Sequence, residues 1–409
     1  MWNCVENSCP KPRLNPSSAT PKVYLPGLHG LRFLAAFSVF FGHLEQAKDW
    51  LNYGELLGIP FTKSLPLAAD GVTLFFVLSG FLITHLLLTE RTLTGTIKVR
   101  QFYLRRILRI WPLYYLFVFI SFVVLPGISA LHFPKLDMPL TNSFWERFAL
   151  YWLMSPHISN LLFPHPGVAG PLWSVGVEEY FYAVWPHVIK RLNGVLPWGL
   201  VAVIALPICF RSKELTVYFH WSGYFRKFFE LARFDCMAIG GAAAWIYFNR
   251  SDWAQFIFRR EVQVAAWLLA VLHRYYPSNH GRYDFYGQFD NTMDSLVFAA
   301  IIMNVGLNPR SLVTLENRFF RFMGEISYGF YVFHWLAIVI CMNLLTYWGG
   351  ISNSQLRNVL LLGSTFALTT AFASLSYYAW ERRFLRLKAQ HATIDAGLAA
   401  RDSSSAAPR

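Results

Sequence analysis

Charged side chains are scarce in this sequence. Asp, Glu, Lys and Arg make up 14% of its 409 residues, against about a quarter in soluble domains. Cysteine is scarce too, with five residues scattered along the chain. That is too few for a disulfide framework, and no cluster has the spacing of zinc ligands. Cys209, Cys236 and Cys341 fall in apolar segments, where cysteine serves as a small hydrophobe. The chain lacks the alternating ten-residue strands of a membrane β-barrel. It also lacks a Walker loop, a dinucleotide fingerprint and a GxSxG elbow. Its opening, MWNCVENSCPKPRLNPSSATPK, is polar and proline-rich and offers no apolar stretch for a cleavable signal.

Apolar runs are what the chain has in quantity. Hydrophobic residues reach 55% and aromatic residues 18%. They are gathered in blocks of roughly 15–22 residues, the length a helix needs to cross a bilayer. The runs lie near 31–48, 70–90, 110–126, 173–189, 196–210, 233–249, 262–276, 292–307, 326–347 and 357–380. The expected fold class is therefore all-α: a polytopic transmembrane helical bundle of about ten spans. A further run, 144–163, contains Glu146, Arg147, Ser155, Pro156 and His157 and is read as interfacial or re-entrant. The expected organisation is a disordered head (1–23), a membrane domain (24–387) and a disordered tail (388–409) with no soluble catalytic domain.

The net charge of +13 suggests nucleic acid in a soluble protein. Here it sits between the spans, where orientation in the membrane explains it and no nucleic-acid partner is expected. With the N-terminus inside and 144–163 not crossing, the cytoplasmic loops hold dense groups around 91–109, 190–191, 250–260, 310–321 and 382–388. Most outer loops are poorer. The exception is 211–232, with Arg211, Lys213, Arg226 and Lys227. This bias places both termini in the cytoplasm.

Ionisable groups inside spans are costly and mark function. Arg32 and His43 share the first span, eleven positions apart, or about 16 Å of helix. Arg32 reads either as a positive-inside anchor or as a holder of an anionic ligand. His43 reads either as a structural histidine or as a proton-transfer group in a cavity. Arg105, Arg106 and Arg109 recur at three- and four-residue spacing, so they share a helix face. That face suits phosphate or lipid headgroups. Glu178 and Glu179 open an aromatic helix, one read as binding a hydroxyl and the other as pairing an arginine. Arg233 and Asp235 precede Gly240 and Gly241, a pattern read first as helix packing. Ser327, Tyr328 and His334 are further polar groups in a span. His85 and His187 are read as structural. The aromatics of 275–289 read as sugar-stacking or as an interfacial belt.

Together these segments resemble the integral-membrane acyltransferases that include O-antigen acetylases, nodulation-factor acetylases and macrolide acylases. The resemblance covers about residues 24–387. Arg32 and His43 match the family's arginine-ten-residues-histidine signature. GVTLFFVLSGFLIT (71–84) matches its second span, and Arg106 and Arg109 its R-x-x-R. LWSVGVEEYFYAVWP (172–186), Arg233 with Asp235, and ISYGFYVFHW (326–335) match its later motifs in order. Two positions depart: His29 and Thr73 stand where many or some members carry an acid.

The resemblance implies O-acyl transfer from cytoplasmic acyl-CoA, most often acetyl-CoA, in a bacterial cytoplasmic (inner) membrane. The acceptor is a hydroxyl of a carbohydrate or of a small molecule such as a macrolide. It implies His43 as general base or acyl carrier, with Arg32 and Glu178 beside it in a catalytic role. Arg105, Arg106, Arg109, Ser79 and Gly80 would bind the donor. Glu179, Trp173, Tyr180, Arg233, Asp235, Tyr328 and His334 would contact the acceptor, with Glu178 or Glu179 orienting it from the outer side. Acyl-CoA is a co-substrate, so no permanently bound cofactor and no metal is expected. A permease would line its path with similar residues, but the inverted repeats it would show are not found in the sequence. In a cysteine-accessibility map of intact cells, position 109 is expected to be protected from an impermeant thiol reagent. Labelling there from outside would reverse the orientation.

Overall fold

The computed structural model describes residues 25–50, 52, 67–128, 131, 143–163, 167–192, 194–220, 222–272, 289–347 and 354–390. The expected head, nearly all of the expected tail and the 275–289 aromatics except Phe289 lie outside these residues. Among the described residues every regular element is helical. The order is α1 (Leu28–Trp50), α2 (Leu67–Thr94), α3 (Val99–Phe119), α4 (Phe144–Trp152), α5 (Pro156–Leu162), α6 (Leu172–Arg191), α7 (Leu196–Arg211), α8 (Lys213–Tyr218) and α9 (Gly223–Ala232). There follow α10 (Phe234–Asn249), α11 (Ser251–Ile257), α12 (Arg260–Leu272), α13 (Asp290–Leu307), α14 (Arg318–Glu325), α15 (Ser327–Tyr347), α16 (Ser354–Ser376) and α17 (Arg382–Gln390).

Four stretches are long and apolar enough to cross a bilayer: α2, α3 with its continuation to Gly127, α15 to Leu345, and α16 continued to Lys388. α7 is apolar but shorter. α1 and α6 have the length of a span but carry the charged residues of the site. The run 144–163 is broken into α4 and α5, of 9 and 7 residues. Neither reaches the ~20 residues a crossing needs. Met154, at φ 57°, turns the chain between them.

α2 is the centre of the bundle. In its apolar window 83% of the residues are buried, against 28% in the window of α16, which lies at the rim. Small residues bring the neighbours of α2 close. A Cβ at Gly80 would collide with the Met237 carbonyl of α10, and one at Gly240 with the Val77 carbonyl of α2. Gly71 and Gly42 do the same for the pairing of α1 with α2. Without side chains in the seam the backbones pack in direct contact. Gly80, expected beside the donor, lies in this seam.

Several helix ends that carry basic residues meet. The start of α1 meets the end of α13 and the chain before α14, where the Gly27 N–H donates to Glu316. The end of α2 meets the start of α3 through Glu90, which accepts from the Lys98 N–H and from Arg105. The end of α6 meets the same region, where Tyr103 donates to the Ala183 carbonyl. α11 reaches the end of α13 through Asn304 and Asn308, and Trp380, just before α17, donates to the Pro112 carbonyl of α3. Gly80→Ala is expected to cost about 1–3 kcal/mol by overpacking. Gly363, with open space around it, is the neutral control. Thermal unfolding in detergent reads the difference.

Candidate functional site

The site begins on α1. Arg32 lies one helical turn from its start, and His43 lies further along, about two turns before its other end. α1 packs on α2, α14 and α15, while α3 packs on α6 and α17. Arg32, Arg106, Arg109 and Glu178 come within electrostatic reach of one another between these groups. Each of the four keeps part of its surface accessible.

The arginines of α3 divide into two kinds. Arg105 is held by Glu90 at 3.4 Å. Arg106 and Arg109 face the site and make no ion pair among the described residues. Arg106 lies over the rings of Phe102 and Tyr182, at 5.6 and 5.8 Å, and its Nε is buried without a hydrogen-bond partner. Nη1 of Arg32 is buried in the same condition. Such donors are expensive to leave unanswered, and a fork of guanidinium groups matches phosphate oxygens.

Glu178 and Glu179 both lie within electrostatic reach of Arg106, at this arginine end. Glu178 accepts from Ser79 (2.6 Å) on one oxygen and from Tyr182 (2.9 Å) on the other. Ser79 is thereby committed to Glu178. Glu178 also lies within electrostatic reach of Arg32 and Arg106. Glu179 accepts from the Trp111 indole N–H at 3.1 Å, while its Oε1 is buried with no hydrogen-bond partner among the described residues. Tyr328 donates to the Ile110 carbonyl at 3.1 Å, tying α15 to α3.

Toward the other end of α1, Nδ1 of His43 lies 2.8 Å from Nε2 of His334. The two rings are nearly coplanar, 4° apart. Nδ1 of His334 contacts the Tyr331 carbonyl. A carbonyl only accepts, so that nitrogen carries the proton. Neutral His334 then offers a bare Nε2, His43 donates to it from Nδ1, and Nε2 of His43 is left with its lone pair. His334 is fully buried, whereas His43 stays partly accessible. His334, expected to touch the acceptor, is the partner of His43. Tyr331, which sequence reading missed, anchors the pair by donating to the Pro171 carbonyl and meeting Ser174 at 2.7 Å. Its place three residues before His334 in 326–335 was the available signal.

The remaining candidates scatter. Arg233, in a left-handed conformation at φ 42°, donates to Thr73 (3.0 Å) and to the Ala69 carbonyl. It lies 5.9 Å from the centre of the Trp173 ring. A hydroxyl therefore meets Arg233 where some members carry an acid. Asp235 does not join it. Both its oxygens are taken, by Arg211 at 2.8 and 3.3 Å and by Thr292 at 2.9 Å, and its exposure is 0%. It clamps α7, α10 and α13 together. Arg211 was visible in sequence only as a surplus cation of the 211–232 loop. Arg226, another of that surplus, pairs with Glu230 at 2.8 Å. Tyr180 bonds Ser155 (2.8 Å) and meets the His157 ring edge-on, bracing the break between α4 and α5. Among the described residues no group of three acidic, histidine or cysteine side chains could hold a metal ion.

These features define a helical protein of the membrane type with a polar site inside its bundle. The chain belongs to the acyltransferase domain family, whose model matches residues 25–378. "Putative peptidoglycan O-acetyltransferase YrhL" of Bacillus subtilis is 28% identical over 332 residues, 78% of this chain and 49% of that protein. "Peptidoglycan O-acetyltransferase OatA" of Listeria monocytogenes is 31% identical over 167 residues, 40% of this chain and 24% of that one. "Putative O-acetyltransferase SACOL0978" of Staphylococcus aureus is 29% identical over 192 residues, 45% and 29% of the two chains. The chain thus spans about half or less of the length of these relatives. No solved structure matches it.

Asp235→Ala is expected to destabilise the fold by about 3–5 kcal/mol, because Arg211 is left buried and unpaired. An Arg211→Leu, Asp235→Leu double variant should recover much of the loss in thermal unfolding. A single variant of unchanged stability with weakened acceptor binding would return Asp235 to the acceptor.

Proposed function

We propose that the chain is a membrane-embedded O-acyltransferase that moves an acyl group, acetyl first among them, from cytoplasmic acyl-CoA to a hydroxyl of a cell-surface or lipid-linked carbohydrate. The observation that supports this best is a polarity along one helix. Unpaired guanidinium groups lie at one end of α1 and a tautomer-set imidazole toward the other, about 16 Å away at 1.5 Å per residue. An extended pantetheine arm is of that order of length. In this reading Arg32, Arg106 and Arg109 hold the CoA phosphates, and the thioester lies at His43. The printed names of the Bacillus and Listeria relatives favour a glycan acceptor.

The chemistry follows from the free nitrogen. Nε2 of His43 takes the proton of the acceptor hydroxyl as its oxygen attacks the thioester carbonyl. The tetrahedral intermediate collapses, the C–S bond breaks, and the CoA sulfur leaves with the proton from His43. If Nε2 attacks first, the C–S bond breaks, CoA departs as thiolate and an acyl-imidazolium forms; the acceptor oxygen then attacks its carbonyl, the C–N bond breaks, and the hydroxyl proton passes to the thiolate. His334 serves both routes by accepting from Nδ1 and spreading the positive charge as His43 is protonated or acylated. In the bilayer we place about ten spans, with both termini and the arginine end in the cytoplasm of a bacterial inner membrane. The positive-inside bias supports this.

The test uses purified protein, radiolabelled acetyl-CoA and an acceptor glycan fraction. Label should move to the acceptor as free CoA appears. Loss of a general base typically costs 10²–10⁴-fold, so His43→Ala should lose ~10²-fold or more while inserting normally. A variant that keeps above ~10% of the wild-type rate removes His43 from the mechanism. Movement of acceptor without release of CoA would indicate a permease.

A further inference from the structure

Glu179 presents an acceptor that nothing among the described residues answers. Its Oε2 is fixed by the Trp111 indole N–H at 3.1 Å, so its Oε1 has a set direction. That oxygen is buried without a hydrogen-bond partner. Arg106 is near enough to interact with its charge but makes no hydrogen bond to it. Glu178 next door is saturated by Ser79 and Tyr182. One neighbourhood therefore holds orphan donors on Arg32 and Arg106 and one orphan acceptor on Glu179.

Phosphate oxygens satisfy the donors but offer nothing to a carboxylate. An acceptor hydroxyl offers a proton, but its reaction is at His43, toward the other end of α1. A ligand that answers both must carry phosphate at the arginines and an N–H or O–H beyond it. The phosphopantetheine arm has that order: phosphate, hydroxyl, then two secondary amides before the sulfur. We infer that Oε1 of Glu179 accepts a hydrogen bond from a pantetheine amide N–H of the acyl-CoA. Glu179 is then a donor-recognition residue, and the site distinguishes the arm from other anionic chains by that amide. This rests on the acyl-CoA reading above.

The test pairs a change in the ligand with a change in the protein. Acetyl-CoA is compared with two analogues, each with one pantetheine amide N–H replaced by an ester oxygen. For the wild type, KM should rise ~10-fold or more for one analogue, the worth of a hydrogen bond to a charged group. Glu179→Ala should bind acetyl-CoA and that analogue alike. Glu179→Gln, which keeps the side-chain volume and guards against misfolding, has one carbonyl oxygen for two N–H donors, Trp111 and the amide, and should lose much of the preference. The inference is overturned if the wild type shows no preference, or if the preference survives in Glu179→Ala. It is equally overturned if Glu179→Ala raises only the KM of the acceptor. A wild type that neither binds nor consumes acetyl-CoA defeats the donor reading itself, and this inference with it. Binding with unchanged discrimination defeats the inference alone.

Discussion

A guanidinium group inside a helical bundle has to be answered, and much of the architecture follows from how each one is. Arg211 is answered by Asp235 and Thr292, and the three residues become a clamp between helices. Arg105 is answered by Glu90 at the junction of α2 and α3. Arg32 and Arg106 are answered only in part, by the nearby charge of Glu178 and by aromatic faces. A fold that leaves buried donors open pays in stability, and the same openness creates affinity for an anion. The difference between structural and ligand-facing arginines is thus a difference in hydrogen-bond accounting, with no change in residue type.

The second constraint is direction along α1. One helix presents charge near one end and a base toward the other, so the ligand's two functions are separated by a fixed rise per residue. The base is set by its neighbours. The Tyr331 carbonyl determines which nitrogen of His334 is protonated, His334 does the same for His43, and the outward nitrogen of His43 is left basic. Tyr331 is held in turn by Pro171 and Ser174 at the start of α6. The helix that supplies the glutamates therefore also steadies the histidines.

Glycine makes the rest of the bundle compatible with that geometry. Where α2 meets α10 and α1, backbones touch because Gly80, Gly240, Gly71 and Gly42 carry no side chain. Close packing leaves the central helix little freedom to shift. Ser79, adjacent to one of these glycines, is thereby positioned for Glu178.

The helical class, the membrane character and the identity of Arg32, His43, Arg106, Arg109 and Glu178 as unusual residues could all be read from the chain. These are properties of composition and local spacing: length of apolar runs, charge density between them, and a polar group where hydrocarbon is expected. Partnership could not be read. His334 is 291 residues from His43, and Ser79 is 99 from Glu178, so no local pattern links them. Nor could sequence separate Arg233 from Asp235, two positions apart, whose side chains join different helices. Which end of the site the glutamates occupy, and which charges are already spent on the fold, depended on how the helices pack. Hydrogen bonds are exclusive, and only the tertiary structure decides which donor reaches which acceptor.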